Sequence, residues 1–234
     1  MKSVAAIFAR GGSKGLPNKN ILDFNGRPLI AWAISKAKQI ECVDEVIVST
    51  DSVEIAEVAK FYGAAVPFLR PKELSKDDTP EIVAWHHLLE YLRQRDGSLP
   101  AMMLSVPTTA PLRSVGDLER CISLFNSEDA DLVVTVTEAS RHPDFNMVRI
   151  LADGEVRLVG SNTADVHARR QTVPLVYDLT TVAYVVRPSF IINRDTIWGG
   201  KTRAICVPRE RAIDIDNGFD FHLAKLLHRY PPHN

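Results

Sequence analysis

Short apolar runs alternate with amphipathic stretches along the first part of the chain. Val4–Ala9, Val46–Ser49, Ala64–Leu69, Met102–Val106 and Leu132–Val136 have the length and content of strands buried on both faces. Between them, Pro28–Ile40, Val53–Tyr62, Glu81–Arg93 and Val115–Asn126 carry apolar residues at helical spacing. This alternation predicts an α/β fold, with a mostly parallel sheet and helices on both faces. Ligands in such folds bind at the carboxyl ends of the strands. From Glu138 to Ala183 the rhythm changes. Polar, turn-rich sequence surrounds strand candidates at Met147–Leu151 and Glu155–Leu158, with Asp153-Gly154 as a hairpin turn between them. The segment reads as an excursion (138–183) from one domain spanning 1–234, not as a second domain. Leu179–Val186 and Thr202–Val207 return to strand, and Phe219–Leu227 forms the last helix.

Composition narrows the function classes. A 45% hydrophobic content supports a substantial core, and a net charge of −1 gives no general attraction to nucleic acid or membrane. Cys42, Cys121 and Cys206 are far apart and form no C-x-x-C pair, so they read as reduced core thiols. The first residues enter a strand without a basic region and a long apolar stretch, so a cytoplasmic protein is expected. The seven histidines show no metal-ligand spacing.

The cations cluster where the fold would place a ligand. Directly after the first strand comes Arg10-Gly11-Gly12-Ser13-Lys14-Gly15-Leu16-Pro17-Asn18-Lys19-Asn20. Backbone N–H groups at the glycines, a hydroxyl at Ser13 and charge at Arg10, Lys14 and Lys19 are what a polyphosphate requires. The spacing matches neither a Walker loop nor a dinucleotide fingerprint. Near the other end, Ala212-Ile213-Asp214-Ile215-Asp216 puts two carboxylates on one face of an extended segment. Close carboxylates repel and call for a cation, and with phosphate oxygens they suit Mg²⁺. Asp51 reads as the N-cap of the following helix, Asp220 as a first-turn helix residue, and Asp77 and Asp78 as a solvated acidic turn.

The string R-G-G-S-K-G-L-P-x-K-N closely resembles the opening signature of the acylneuraminate (CMP-sialic acid synthetase) cytidylyltransferases. The resemblance continues through Arg70-Pro71 to Thr79, through Pro107-Thr108-Thr109-Ala110-Pro111-Leu112-Arg113, and to the Ile-Asp-Ile-Asp element. It implies a Rossmann-like nucleotidyltransferase fold and a CTP-dependent activation of a nonulosonic, sialic-acid-like sugar acid. Arg10, Gly11, Gly12, Ser13, Lys14, Lys19 and Asn20 would then serve the triphosphate, and Arg70 and Thr79 would bound the cytosine pocket. Arg10, Lys19 and Asp216 would be catalytic. Asp214 and Asp216 would hold Mg²⁺, with Mn²⁺ as an alternative. Arg170, Gln171, Asp178, Thr180, Thr181 and Tyr184 match the sugar-binding region, and Trp198 lies in an aromatic-Gly turn that either lines the acyl pocket or packs in the core. The 138–183 excursion would be a dimerisation arm, making the protein a homodimer. Arg113 is equally readable as functional or as a structural bridge.

The chain departs from the pattern in two places. Pro107 stands where many members carry a substrate-binding Gln. Asp178 to Thr181 replace an R-x-N-G, which points to an acceptor other than N-acetylneuraminate. A Kdo-type or other sugar-acid nucleotidyltransferase and a catalytically silent nucleotide-binding module remain as alternatives.

Overall fold

The computed structural model describes residues 2–160 and 174–231. Six strands form the central sheet: β1 (Ser3–Phe8), β4 (Glu45–Ser49), β5 (Met102–Ser105), β6 (Leu132–Glu138), β9 (Tyr177–Val186) and β10 (Thr202–Cys206). Their order is β10-β6-β9-β5-β1-β4. All are parallel to their neighbours except β9, which runs antiparallel between β5 and β6. The sheet is therefore mostly parallel, as the alternating pattern predicts.

Side-chain alternation along the strands builds two cores. Ala5, Ile7, Val46, Val48, Leu104, Val133 and Val185 face one side, where α1 (Leu29–Ala37), α2 (Val53–Phe61) and α4 (Val115–Ser127) cover them. Val4, Ala6, Ile47, Met103, Leu132, Val134 and Val186 face the other, against α3 (Glu81–Asp96). Trp85, Leu88, Leu89 and Leu92 of α3 are almost fully buried there. Each such side chain contributes about 1.5–3 kcal/mol through removal from water. Capping residues fix where helices begin: Ser114 and Asp117 form a capping box on α4, and Asn217 and Asp220 form another on the last helix (Gly218–Arg229).

Several expectations change. Ala64–Leu69 makes only two isolated bridges to the edge of β4, at Ala65 and Leu69, and Pro67 between them interrupts the ladder. A two-residue hairpin, β2 (Asp23–Phe24) and β3 (Arg27–Pro28), precedes α1. Its Asn25 and Gly26 both have positive φ, the geometry of a tight hairpin turn. Within the 138–183 excursion, β7 (Val148–Ile150) and β8 (Val156–Leu158) pair as a separate hairpin, whereas residues 177–183 belong to central strand β9. Only Cys121 is a core thiol; Cys42 and Cys206 are exposed.

Candidate functional site

The loops after β1 and β4 meet at the carboxyl edge of the sheet. The chain leaves β1 to build β4 on one side, then returns to build β5 on the other, so this is a topological switch point where α/β sheets bind ligands. Asp51, at the end of β4, accepts a hydrogen bond from the Gly11 N–H at 2.9 Å. It is not the cap of α2: Ser52 has that role, its hydroxyl accepting from the Ile55 N–H. The glycine-rich loop is thus tied to the neighbouring strand through Asp51.

Each cation of the loop has a defined place. Arg10 donates to Asp77 at 2.5 Å, and Lys14 pairs with the second oxygen of the same carboxylate at 2.5 Å. Lys14 and Arg10 hold the Asp77 carboxyl below the usual range. The acidic turn at Asp77 is therefore a counter-charge to the cations of the glycine-rich loop, not a solvated bystander. Lys19 lies deeper, its side chain 13% exposed, with Nζ donating to the Ile215 carbonyl at 2.6 Å and to Asp216 at 3.4 Å. A Cβ at Gly15 would collide with the Asp216 carbonyl, so this glycine lets the loop lie against the 214–216 segment. Gly12 faces open space. Ser13 donates its backbone N–H to the Gly11 carbonyl, tightening the loop. Asn20 is buried; its amide nitrogen donates to the Arg10 carbonyl and its oxygen accepts from Thr108. Each end of that amide makes one bond within the protein, so Asn20 braces the loop from beneath.

Arg70 follows the 64–69 segment and is only 5% exposed. Its Nε donates to Ser75 Oγ at 2.8 Å, and among the described residues no carboxylate lies within ion-pair distance. Burial works against its charge, while Asp51 and Glu81 favour it. Arg10, Arg70, Thr79 and Glu81 line a cleft of about 270 Å³ with Phe8 among its apolar walls.

Asp214 and Asp216 flank buried Ile215 but are not equivalent. Asp216 is 73% exposed at its side chain and paired with Lys19. Asp214 has one carboxylate oxygen buried with no hydrogen-bond partner. A buried oxygen without a donor is costly unless a cation completes it, so Asp214 fits a divalent ion. Its charge reaches Arg113, Tyr184 and Glu81. Arg113, 1% exposed, donates to the carbonyls of Pro107 and Thr181 and so fastens the loop after β5 to β9. That is the bridging role. The Tyr184 phenol is pushed up to about 12 by burial and by the nearby carboxylates of Glu81 and Asp214, which leaves it protonated at neutral pH.

The sugar-region residues separate. Asp178 is exposed near the start of β9, opposite Thr137. The Thr181 hydroxyl accepts from Thr109 at 3.2 Å. Thr180 is buried and hydrogen-bonded to Thr135 of β6, so it faces the sheet interior where a sugar contact was expected. Trp198 precedes β10, and β10 runs parallel to β6, so Trp198 lies at the amino edge of the sheet. It is at the opposite edge of the sheet from the cleft. Arg170 and Gln171 lie outside the described residues. The residue missed by sequence reading is Glu81. Its position at the start of α3 marks it as a good first-turn helix residue, which hides its place in the cleft.

Comparison with known proteins agrees with this geometry. A family model described as cytidylyltransferase matches residues 4–192. The post-translational flagellin modification protein B of Campylobacter coli is 32% identical over 228 residues, covering 96% of this chain and 94% of that protein. The CMP-N,N'-diacetyllegionaminic acid synthase of Campylobacter jejuni is 31% identical over 224 residues, covering 96% and 94%. A solved CMP:2-keto-3-deoxy-manno-octonic acid synthetase complexed with CTP shares the fold, with a TM-score of 0.73 at 17% identity over 98% of this chain and 99% of that one. The protein is a member of the cytidylyltransferase family and a CTP-dependent nucleotidyltransferase.

Proposed function

We propose that the protein joins CTP to a nonulosonic acid, giving the CMP-sugar and pyrophosphate. The observation that carries this reading is the meeting of the cationic loop with Ile215 and Asp216 at the switch point of the sheet. The anomeric hydroxyl oxygen of the sugar acid attacks the α-phosphorus, the bond from that phosphorus to the β-bridging oxygen breaks, and the hydroxyl proton leaves to solvent. Arg10 and Lys14 exchange Asp77 for the phosphates. Lys19 stands over the 215–216 backbone, where it meets charge developing on the α-phosphate. Asp214 and Asp216 would hold Mg²⁺ or Mn²⁺, which would supply Lewis-acid neutralisation of phosphate charge. No covalent intermediate is required.

The acceptor follows from the region around Asp178. Carboxylate and hydroxyl groups at Asp178 and Thr181 suit donors on the sugar better than an anionic or amide oxygen. The similarity to a diacetyllegionaminic acid synthase supports a bacterial diamino nonulosonic acid. Pyrophosphate release from CTP is expected to be faster, as kcat/KM, with such an acid than with N-acetylneuraminate or Kdo. A clear preference for Kdo would move the protein to that class, and no turnover with any acid would favour a silent binding module.

We also infer a homodimer built through the 138–176 excursion. Val148, Ile150, Val156 and Leu175 are exposed apolar side chains concentrated there, and an obligate partner would cover them. Light scattering at micromolar concentration is expected to give twice the chain mass of 26.0 kDa. A fully active monomer would overturn the dimer.

A further inference from the structure

Asp214 is carried by a strap. After β10 the chain turns back along the carboxyl edge of the sheet, passing β6 and β9 to reach the loops that follow β5 and β1. Three strand spacings separate β10 from β5, about 14 Å at roughly 4.8 Å each. Residues 207–215, fully extended, could span about twice that distance. Connectivity therefore leaves slack, and the place of Asp214 depends on what ties the strap down. Val207 and Ala212 pack on Ala110 and Val182, small contacts that fix no direction. The Ile215 N–H donates to the Thr109 carbonyl at 2.9 Å. Between these lies an ionic tie. Arg211 ends a single 3₁₀ turn, Arg209–Arg211, in the middle of the strap. Its Nε donates to Asp117 Oδ2 at 2.9 Å and its Nη2 to Oδ1 at 3.0 Å, a bidentate pair.

Asp117 is the fixed end of this tie. It is 1% exposed, and its Oδ2 accepts from the Ser114 N–H at 2.9 Å within the capping box of α4. Arg120, one turn along α4, donates to Oδ1 at 3.0 Å. Burial acts to raise the Asp117 pKa, yet Arg211 and Ser114 hold it at about 2, so the carboxylate stays charged at neutral pH. We propose that Arg211, held by Asp117, is a positioning residue for the reaction: it stops the strap from sliding, so that Asp214 and Asp216 keep their places relative to the glycine-rich loop. The proposal rests on the reading of those two carboxylates as the ligands of the metal ion. Arg211 lies three residues before Asp214, and a bidentate guanidinium on a helix terminus fixes direction as well as distance. Loss of Arg211 leaves Asp117 paired with Arg120 and bonded to Ser114, so α4 keeps its start while the strap gains freedom. A metal site whose support is loosened loses affinity while the fold persists. Arg120 provides the contrast. It draws on the same carboxylate but is carried by α4 itself. Its other contact, to the Cys206 carbonyl at 3.3 Å, is to a strand end already paired with β6.

Arg211→Gln and Arg120→Gln are to be compared with wild type. Mn²⁺ binding to the protein with CTP, beyond that held by CTP alone, is followed by loss of the free-ion paramagnetic resonance signal. Calorimetry gives CTP affinity without metal, and thermal unfolding gives stability. Arg211→Gln is expected to raise the Mn²⁺ dissociation constant by roughly tenfold or more, the effect of removing a residue that supports metal ligands, and to leave metal-free CTP affinity unchanged. Arg120→Gln is expected to leave both affinities unchanged. Arg211→Lys keeps the charge but not the bidentate geometry, so its Mn²⁺ affinity is expected to fall between, and it decides the matter if the glutamine variant does not fold. Two results would overturn the proposal by showing a pair that only stabilises α4. One is equal loss of Mn²⁺ affinity in Arg211→Gln and Arg120→Gln. The other is unchanged Mn²⁺ affinity in Arg211→Gln with only a lower melting temperature. Mn²⁺ affinity that is unchanged by Asp214→Asn would instead defeat the metal assignment itself.

Discussion

Lys19→Met is expected to lower kcat by roughly 10²–10³ at saturating CTP, the loss found when one positioned donor is removed from a charged transition state. Methionine keeps most of the apolar stem, so the packing of this 13% exposed side chain is largely retained while the ammonium is lost. The ammonium makes two contacts to the 215–216 segment and has three hydrogens, so one donor remains for an α-phosphate oxygen. The effect should fall on kcat more than on KM, since the charge it meets grows during the reaction. The check is steady-state kinetics on variant protein whose melting curve matches wild type. Turnover within a few-fold of wild type would remove Lys19 from the catalytic machinery and leave it as a strut beneath Asp216.

The second large effect is expected at Asp214. Asp214→Asn keeps the shape of the side chain but removes the charge by which its buried oxygen would hold the proposed metal ion. Turnover should fall by roughly 10² or more at low Mg²⁺ and recover in part as Mg²⁺ is raised, and a chelator should abolish it in wild type. Asp216→Asn should be milder. That carboxylate is mostly exposed and already shares Lys19, so it holds less of the uncompensated charge. Mg²⁺ titrations of activity for the two variants provide the comparison. An unchanged half-saturating Mg²⁺ for Asp214→Asn would show that the buried oxygen is not a metal ligand. The Arg113 and Asp214 charges would then be a structural pair.

Much of the scaffold could be read from residue order. The buried runs at Val4–Ala9 and Met102–Val106 and the helical spacing at Glu81–Arg93 reflect local physics, because side-chain period follows backbone geometry. The direction of β9 could not be read that way. Antiparallel pairing with both β5 and β6 depends on contacts tens of residues away, and Tyr177–Val186 carries the same apolar content in either direction. The same limit applies within the site. Arg10 and Lys19 stand out by chemistry and spacing. Asp77 is instead assigned by its partners, 67 residues from Arg10. Gly15 resembles a flexible phosphate-loop glycine, yet what excludes a side chain there is the carbonyl of Asp216. Asp51 and Ser52 are both good helix caps, and only the loop packed beside them shows which one is used. Thr180 stands in register with the family's sugar-binding region and Trp198 in an aromatic-Gly turn, but the strand pleat and the direction of β10 carry them away from the cleft.

The antiparallel strand also sets an order on assembly. β5 and β6 do not pair with each other; β9 joins them. Before residue 177 is synthesised, the nascent chain can complete β4-β1-β5 on one side and present β6 alone on the other. Each then exposes an unpaired edge in a segment rich in Met, Leu and Val, the kind of edge that recruits other chains. Closure waits for a strand whose partners lie far earlier in sequence, and long-range pairing of this kind is slow. The last quarter of the protein thus acts as the keystone of its own sheet, and any truncation upstream of β9 leaves two fragments of a sheet with nothing to join them.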